Sequence, residues 1–307
     1  MSAAVIARDL TKNYGDIVAV DRLSLEVNEG EVFAFLGPNG SGKTTTIRML
    51  CGIITPSGGE GRVLGFDITT QSEAIKARIG YMSQRFALYE DLTVRENLDF
   101  YAGVYQVPRA RRAARLDELI AMAGLTGRER QLAGQLSGGW KQRLALGCAI
   151  VHSPPLLFLD EPTAGVDPVS RRSFWTLIYG LARSGVTIFL TTHYIDEAEH
   201  ADRVALMLSG RMVALAPPRE LRETGLTGTL LEVECDPAVD ALDLLPTLPG
   251  VREVTLYGTL LHVLVLEATP RDITEFLQRH GVSVTSVRPI KPSLEDVFVS
   301  RIRGAVP

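Results

Sequence analysis

The chain has 307 residues, 46% of them hydrophobic, and a formal net charge of −4. That is enough apolar material for one large domain or two small ones. The acidic balance and the lack of a basic run argue against a nucleic-acid surface, which depends on a basic patch, and no uncharged apolar stretch is long enough to span a bilayer.

Cys51, Cys148 and Cys235 lie far apart with no metal spacing. They read as small buried hydrophobes of a reducing compartment. Residues 1–9 lack a signal-peptide profile. The expectation is a soluble, cytoplasmic chain whose membrane role must come through a partner.

In chain order, residues 1 to about 35 read as strands. Val5 to Leu10 precedes a turn at Asn13-Tyr14-Gly15-Asp16. Leu23, Leu25 and Val27 alternate with Ser24 and Glu26, a half-buried strand. Tyr14 has two open readings, a ring that stacks on a base or a packed surface tyrosine. Val32-Phe33-Ala34-Phe35-Leu36 is a short apolar run, as expected of a buried strand. Ile47, Leu50 and Cys51 then recur at helical spacing until Gly52 stops them. Between strand and helix sits Gly37-Pro38-Asn39-Gly40-Ser41-Gly42-Lys43-Thr44-Thr45, the phosphate-loop pattern G-x-x-x-x-G-K-[ST]. Its glycines let backbone N–H groups turn inward around an anion. The helix start adds a positive dipole end. Lys43 can reach the β- and γ-phosphates, and the Thr44 hydroxyl can ligate Mg²⁺. Nucleotide binding follows from this stretch alone.

Ile79 to Gln84 reads as another short strand, ending in a glutamine. Phe86, Leu88 and Tyr89 are apolar residues in the loop beyond. They either receive a partner's helix or staple the next helix, which opens at the capping box Thr93-x-x-Glu96. A second amphipathic helix covers 109–123, and its Arg109, Arg111, Arg112 and Arg115 read as a solvated face. Ser137 with Gly138 and Gly139 stands at a further helix start, a second anion-ready terminus. Leu156-Leu157-Phe158-Leu159 ends in Asp160 and Glu161. A buried parallel strand delivers its functional side chains at its C-terminal end. Asp160 is then placed to hold Mg²⁺ through water, and Glu161 to orient or deprotonate an attacking water. The competing reading is a helix start carrying acidic residues. Asp167-Pro168 is an N-cap followed by Pro at the first helical position, and Phe174, Leu177, Ile178 and Leu181 follow at helical spacing. Val186 to Thr192 is a β-branched strand leading to His193, whose position after a parallel strand favours a functional role. Val204 to Leu208 and Met212 to Leu215 suggest a hairpin.

Composition shifts at Pro217-Pro218 and again at Gly225 to Gly228, which divides the chain into domains 1–226 and 229–307. The tail runs strand, helix, strand, strand, helix, strand, the ferredoxin-like β-α-β-β-α-β signature. Pro270 to His280 is its second helix, capped by Thr269. Ser293 to Phe298 is a capped short helix.

With Leu136-Ser137-Gly138-Gly139-Trp140 in place, residues 3–226 resemble an ATP-binding cassette (ABC) ATPase. The resemblance rests on the order GPNGSGKTT, Gln84, LSGGW, LLFLDE, Ala164-Gly165-Val166-Asp167 and His193. Trp140-Lys141-Gln142-Arg143 and the ending Leu294-Glu295-Asp296-Val297-Phe298 are similar to the ATPase subunits of bacterial multidrug and daunorubicin-resistance-type exporters. The resemblance implies an α/β P-loop NTPase fold, a mixed sheet core with a helical subdomain near 85–150, followed by the small α+β domain. It implies ATP and Mg²⁺ as cofactors. Gly37, Asn39, Gly40, Ser41, Gly42, Lys43, Thr44 and Thr45 would hold the nucleotide, with Tyr14 stacked on adenine. Thr44, Gln84 and Asp160 would serve Mg²⁺. Glu161 would be the general base, Gln84 would orient the water, and His193 would contact the γ-phosphate. Ser137, Gly138 and Gly139 would close over ATP bound by a second subunit, with Asp167 at the same interface. The widespread signature ends in Gln where this chain has Trp140, which puts a contact from that side chain to the opposite nucleotide in doubt.

The implied activity is ATP hydrolysis coupled to transport. The partners would be a second ATPase subunit, identical or not, and an integral membrane permease on whose inner face the chain sits, with no nucleic acid. The alternative is a soluble non-transport ABC protein acting as an ATP switch on ribosomes or DNA. The single cassette and the absence of a long coiled-coil insertion argue against it. The tail reads either as a ligand-sensing module or as an appendage that stabilises a dimer.

Overall fold

The computed structural model describes residues 2–305. Residues 1, 306 and 307, the outer ends of the two expected domains, lie outside the described residues. The chain forms two compact units, one ending at Leu215 and the other beginning at Ala216.

The first unit opens with a long antiparallel hairpin, β1 (Ala3–Tyr14) and β2 (Ile17–Asn28), followed by β3 (Val32–Leu36) and helix α1 (Lys43–Leu50). Next come β4 (Gly58–Val63), β5 (Phe66–Asp67), α2 (Ser72–Lys76) and β6 (Ile79–Met82). A helical section holds α3 (Val94–Val104), α4 (Arg109–Met122) and α5 (Gly138–Ala149). The unit ends with β7 (Leu156–Asp160), α6 (Pro168–Arg183), β8 (Thr187–Thr192), α7 (Ile195–Ala198), β9 (Arg203–Leu208) and β10 (Arg211–Ala216).

The strands form two sheets, β2-β1-β4-β5 and β10-β9-β3-β8-β7-β6. In the second, β3, β8, β7, β6 and β9 pair in parallel. Every residue of β3, β7 and β8 is buried, as expected of strands covered on both faces. Phe33, Phe35, Phe158 and Phe189 meet in their middle with ring centroids 5.1–5.7 Å apart. Ile47, Met49 and Leu50 of α1 join the same core as Val5, Leu10, Leu23 and Val27 of the hairpin. The helix after the Gly-rich loop is thus packed among the strands of both sheets. Because the strands run parallel, their C-terminal ends share one edge. The register sets Leu36 beside Thr192 and Asp160 beside Thr191.

The capping box at Thr93 and Glu96 forms as expected. The segment before it is held to α3 by an edge-to-face contact of Tyr89 with Phe100 at 4.6 Å and by polar bonds. Asn97, fully buried, donates to the carbonyls of Tyr89, Leu92 and Thr93 and accepts from Tyr89 N–H. The arginine face of α4 is solvated only in part. Arg115 donates to the carbonyls of Ile150 and Val151, just past α5, and Arg112 to those of Ala102 and Val107. Arginine satisfies carbonyls that helix ends leave open.

The second unit contains α8 (Pro218–Thr224), β11 (Thr229–Asp236), α9 (Ala238–Leu244), β12 (Val251–Tyr257), β13 (Leu260–Val265), α10 (Pro270–Arg279), β14 (Ser283–Pro289) and α11 (Leu294–Ala305). Its antiparallel sheet has the order β12-β13-β11-β14, the ferredoxin-like arrangement. Leu231, Val233, Leu261 and Val263 pack on Ala241 of α9 and Ile273 and Leu277 of α10. The sequence places α8 in the first domain, with the break at 226–229. The division instead falls before α8. Gly225 at the end of this helix abuts α11 so closely that a Cβ would lie 2.5 Å from Val297 Cγ1. Helix α11 is also longer than the short capped turn expected.

Candidate active site

The Gly-rich loop joins β3 to α1 at the shared C-terminal edge. Its glycines are required for two different reasons. A Cβ on Gly37 would lie 2.3 Å from Met207 O, and one on Gly42 would lie 2.4 Å from Ala19 O. Gly40 has open space around it but φ of +80°, a conformation L side chains rarely adopt. Asn39 and Gly40 are exposed at the loop's apex. Gly42 caps α1 with no side-chain hydrogen bond, so the first-turn amides keep their donors for another acceptor. The Ser41 hydroxyl is buried and, among the described residues, has no hydrogen-bond partner.

Lys43 is 4% exposed. Its Nζ donates to Gly37 O at 2.8 Å and Pro38 O at 3.1 Å and lies 3.3 Å from Glu161 Oε1. The next residue, Thr44, donates through Oγ1 to Asp160 Oδ1 at 2.9 Å. Thr191 Oγ1 donates to the same oxygen at 2.8 Å. Burial pushes the Asp160 carboxyl above its ordinary range. The two threonine bonds oppose that rise, and the neighbouring Glu161 charge adds to it.

Glu161 follows β7 in a left-handed conformation, φ +47°, which turns its side chain away from the strand's alternation. Its N–H is fixed by Thr191 Oγ1 at 2.9 Å. Gln84 Nε2 donates to Glu161 Oε2 at 3.0 Å, and His193 Nδ1 lies 3.3 Å from that oxygen. One buried carboxylate thereby gathers a lysine, a glutamine and a histidine from separate segments. The structure brings Lys43, Thr44, Gln84, Asp160, Glu161 and His193 together.

Other expected site residues stand apart. Tyr14 is 49% exposed at the end of the hairpin, with Lys12 Nζ 5.2 Å from its ring centre. Thr45 lies within α1. Ser137 caps α5, which begins at Gly138 and Gly139, and its side chain makes no cap hydrogen bond. Gly138 faces open space, whereas a Cβ on Gly139 would lie 2.4 Å from Ser170 Oγ. Asp167 caps α6 by accepting from Val169 and Ser170 N–H. Trp140 packs within its own helical section. Arg128 and Arg143 lie over its ring at 5.1 and 4.9 Å, and its edge comes within 3.6 Å of the Cβ position of Gly124.

The sequence reading missed Thr191, which donates to the Asp160 carboxylate and accepts from the Glu161 N–H. It also missed the fully buried Gln142, which donates to Pro162 O at 2.9 Å. Thr191 is findable only once the register sets β8 beside β7, since a threonine in a β-branched run carries no separate signal.

Residues 20–164 match the family model described as ABC transporter. Residues 217–302 match that of the ATP-binding protein DrrA1-3-like C-terminal domain. The chain is 43% identical over 216 residues to the probable multidrug ABC transporter ATP-binding protein YbhF of Escherichia coli (strain K12), covering 70% of this chain but only 37% of that protein's length. It is 36% identical over 303 residues to the daunorubicin resistance ATP-binding protein DrrA3 of Streptomyces coeruleorubidus, covering 96% of this chain and 95% of the relative. Among solved structures it resembles cbiO1 from Clostridium perfringens, part of the ABC transporter complex cbiONQ. The TM-score is 0.67 and the identity 28%, over 73% of this chain and 92% of that one. A dimeric ATP-binding cassette in a post-hydrolysis state with ADP and Pi gives a TM-score of 0.64 and 27% identity, over 69% and 98%. The chain belongs to the ABC transporter family of ATPases, among the ATP-binding proteins that carry a DrrA1-3-like C-terminal domain.

Proposed function

We propose that this chain is the ATP-hydrolysing subunit of an exporter, and that ATP-dependent closure of a dimer drives a separate membrane permease. The observation that carries the reading is the convergence of Lys43, Gln84 and His193 on the buried carboxylate of Glu161. The residues fit ATP and Mg²⁺. Lys43 and the N–H groups of Gly40 and Gly42 offer donors to phosphate, and the unpartnered Ser41 hydroxyl adds another. Thr44, Asp160 and Gln84 form a hard oxygen set suited to Mg²⁺. Bound there, Mg²⁺ would neutralise charge on the phosphate oxygens.

Glu161 accepts the proton of the attacking water. Gln84 fixes where its carboxylate points, and His193, whose Nδ1 lies 3.3 Å from it without a hydrogen-bond partner among the described residues, stands ready to donate to the γ-phosphate. Tyr14, exposed on the hairpin, stacks on the adenine. Ser137, Gly138 and Gly139 serve ATP held by a second copy, with Gly138 facing open space on its own chain. Trp140, held between two arginines, takes no part in that contact. ATP does mechanical work only if it binds the closed dimer better than the open one.

Among the described residues no helix is long and apolar enough to cross a membrane. The proposed permease contact is an open cleft of about 390 Å³ lined by Cys51, Ile53, Lys76, Tyr81, Val104 and Tyr105. Nearby Tyr89 and Phe100 stack edge to face at 4.6 Å while both remain exposed. A mainly apolar cleft carrying Glu73 and Lys76 at its wall, with exposed rings nearby, suits the end of a helix from a membrane protein. The exporter direction is supported by the drug-resistance names of the relatives, and the chain would sit on the inner face of the membrane.

The test is a pull-down from native membranes with tagged Glu161→Gln protein and Mg·ATP. Recovery of a multi-span membrane protein in stoichiometric amount is expected. Recovery of only ribosomal or DNA-bound proteins would contradict the exporter reading and favour the soluble ATP switch.

A further inference from the structure

Glu197 lies in the short α7 and does not belong to the assembled set. It is nevertheless 1% exposed, and both its oxygens are used. Thr192 Oγ1 donates to Oε2 at 2.7 Å, and Thr163 Oγ1 donates to Oε1. Thr192 immediately precedes His193 and also accepts from Tyr194 N–H at 2.9 Å. Thr163 lies two residues after Glu161. On the outer side, Arg171 of α6 brings Nε to 3.5 Å from Glu197 Oε1 and an NH group to 3.4 Å from Asp196 Oδ2. Its guanidinium also covers the Tyr194 ring at 3.9 Å. Burial pushes the Glu197 carboxyl up, and the bonds from Thr163 and Thr192 and the Arg171 charge hold it down.

We infer that Glu197 is a positioning residue for ATP hydrolysis, tying the segment after Glu161 to the segment before His193. An ionised carboxylate only accepts, so two hydroxyl donors on separate segments can share it without conflict. In a buried site such bonds are stronger than in water. Base and histidine are then carried as one body. Helix α6 joins them through Arg171, and its first turn is the one that Asp167 caps. The inference rests on the proposed roles of Glu161 and His193.

The test compares Glu197→Ala, Glu197→Gln, Thr163→Val and Thr192→Val by steady-state ATPase rates, with Glu161→Gln run alongside. A misplacement of about 1 Å costs on the order of 100-fold in rate. Glu197→Ala should therefore lower kcat about 100-fold, with KM for ATP unchanged within the error of the assay. Glu197→Gln should recover most of the rate, because an amide can accept from one threonine and donate to the other. Each threonine variant should lower kcat, and adding either to Glu197→Ala should cost nothing further, since both remove one tie. If Glu197→Ala fails to fold, the threonine variants carry the test alone, and wild-type kcat in both overturns the inference. Wild-type kcat in Glu197→Ala beside an inactive Glu161→Gln also overturns it. So does a loss confined to KM, or to thermal stability. Turnover by Glu161→Gln at the wild-type rate would instead overturn the reading beneath it.

Discussion

Glu161→Gln is expected to slow ATP hydrolysis by about 10³-fold, the scale of a lost general base, while ATP binding persists. The amide is the same shape as the carboxylate and keeps an acceptor for Gln84, which now donates at 3.0 Å. What it loses is the ability to take a proton. It also releases Lys43 from an anion 3.3 Å away, which leaves the ammonium freer for phosphate. The variant should therefore accumulate as an ATP-bound dimer. Rapid-quench measurement of phosphate release and size-exclusion chromatography in Mg·ATP check the two halves. Hydrolysis at the wild-type rate would show that the base lies elsewhere.

Lys43→Ala acts one step earlier. The lysine is buried, and its present partners are two loop carbonyls and Glu161. A hydrogen bond to a charged group is worth roughly 1.5–3 kcal/mol, so removing this cation should weaken ATP on the order of 100-fold. It also removes the cation 3.3 Å from the buried Glu161 side chain. Titration with a fluorescent ATP analogue should show the loss of affinity, and turnover should become undetectable. Affinity equal to that of the wild-type protein would remove Lys43 from the phosphate site.

Much of this site was legible because its parts are local. The phosphate loop needs glycines, a lysine and a threonine at fixed offsets, and each offset is visible in one stretch. Asp160 and Glu161 were placed by a short apolar run that ends in them, and the strand it forms, which Asp160 ends, is fully buried. The tail's ferredoxin-like order was readable from alternating runs and from the cap at Thr269.

The rest depends on which strands lie side by side. Thr191 supports Asp160 and Glu161 only because β8 runs parallel to β7 in that register. Glu197 looks like an ordinary acid at a helix start until Thr163 and Thr192 are seen to close on it. Arg112 and Arg115 read as solvated because helical spacing does not reveal carbonyls presented by another element. The left-handed turn at Glu161 is likewise held by tertiary contacts. The domain break was misplaced because Pro217-Pro218 and Gly225 both signal punctuation, and only packing against α11 assigns α8.

The central claim is that each hydrolytic site is shared between two copies. Mixing two inactive variants tests it most directly. Lys43→Ala damages the phosphate loop, and Gly138→Asp places a carboxylate where its own chain leaves open space. A carboxylate there can disturb a site only across the interface, by repelling the γ-phosphate of the other copy. Each variant alone should be inactive. Mixed in equal amounts they should regain ATPase activity, because a mixed dimer contains one site with an intact loop facing an intact Ser137–Gly139 segment. Full activity of Gly138→Asp alone, or no recovery on mixing when the two variants are shown to dimerise, would contradict the account.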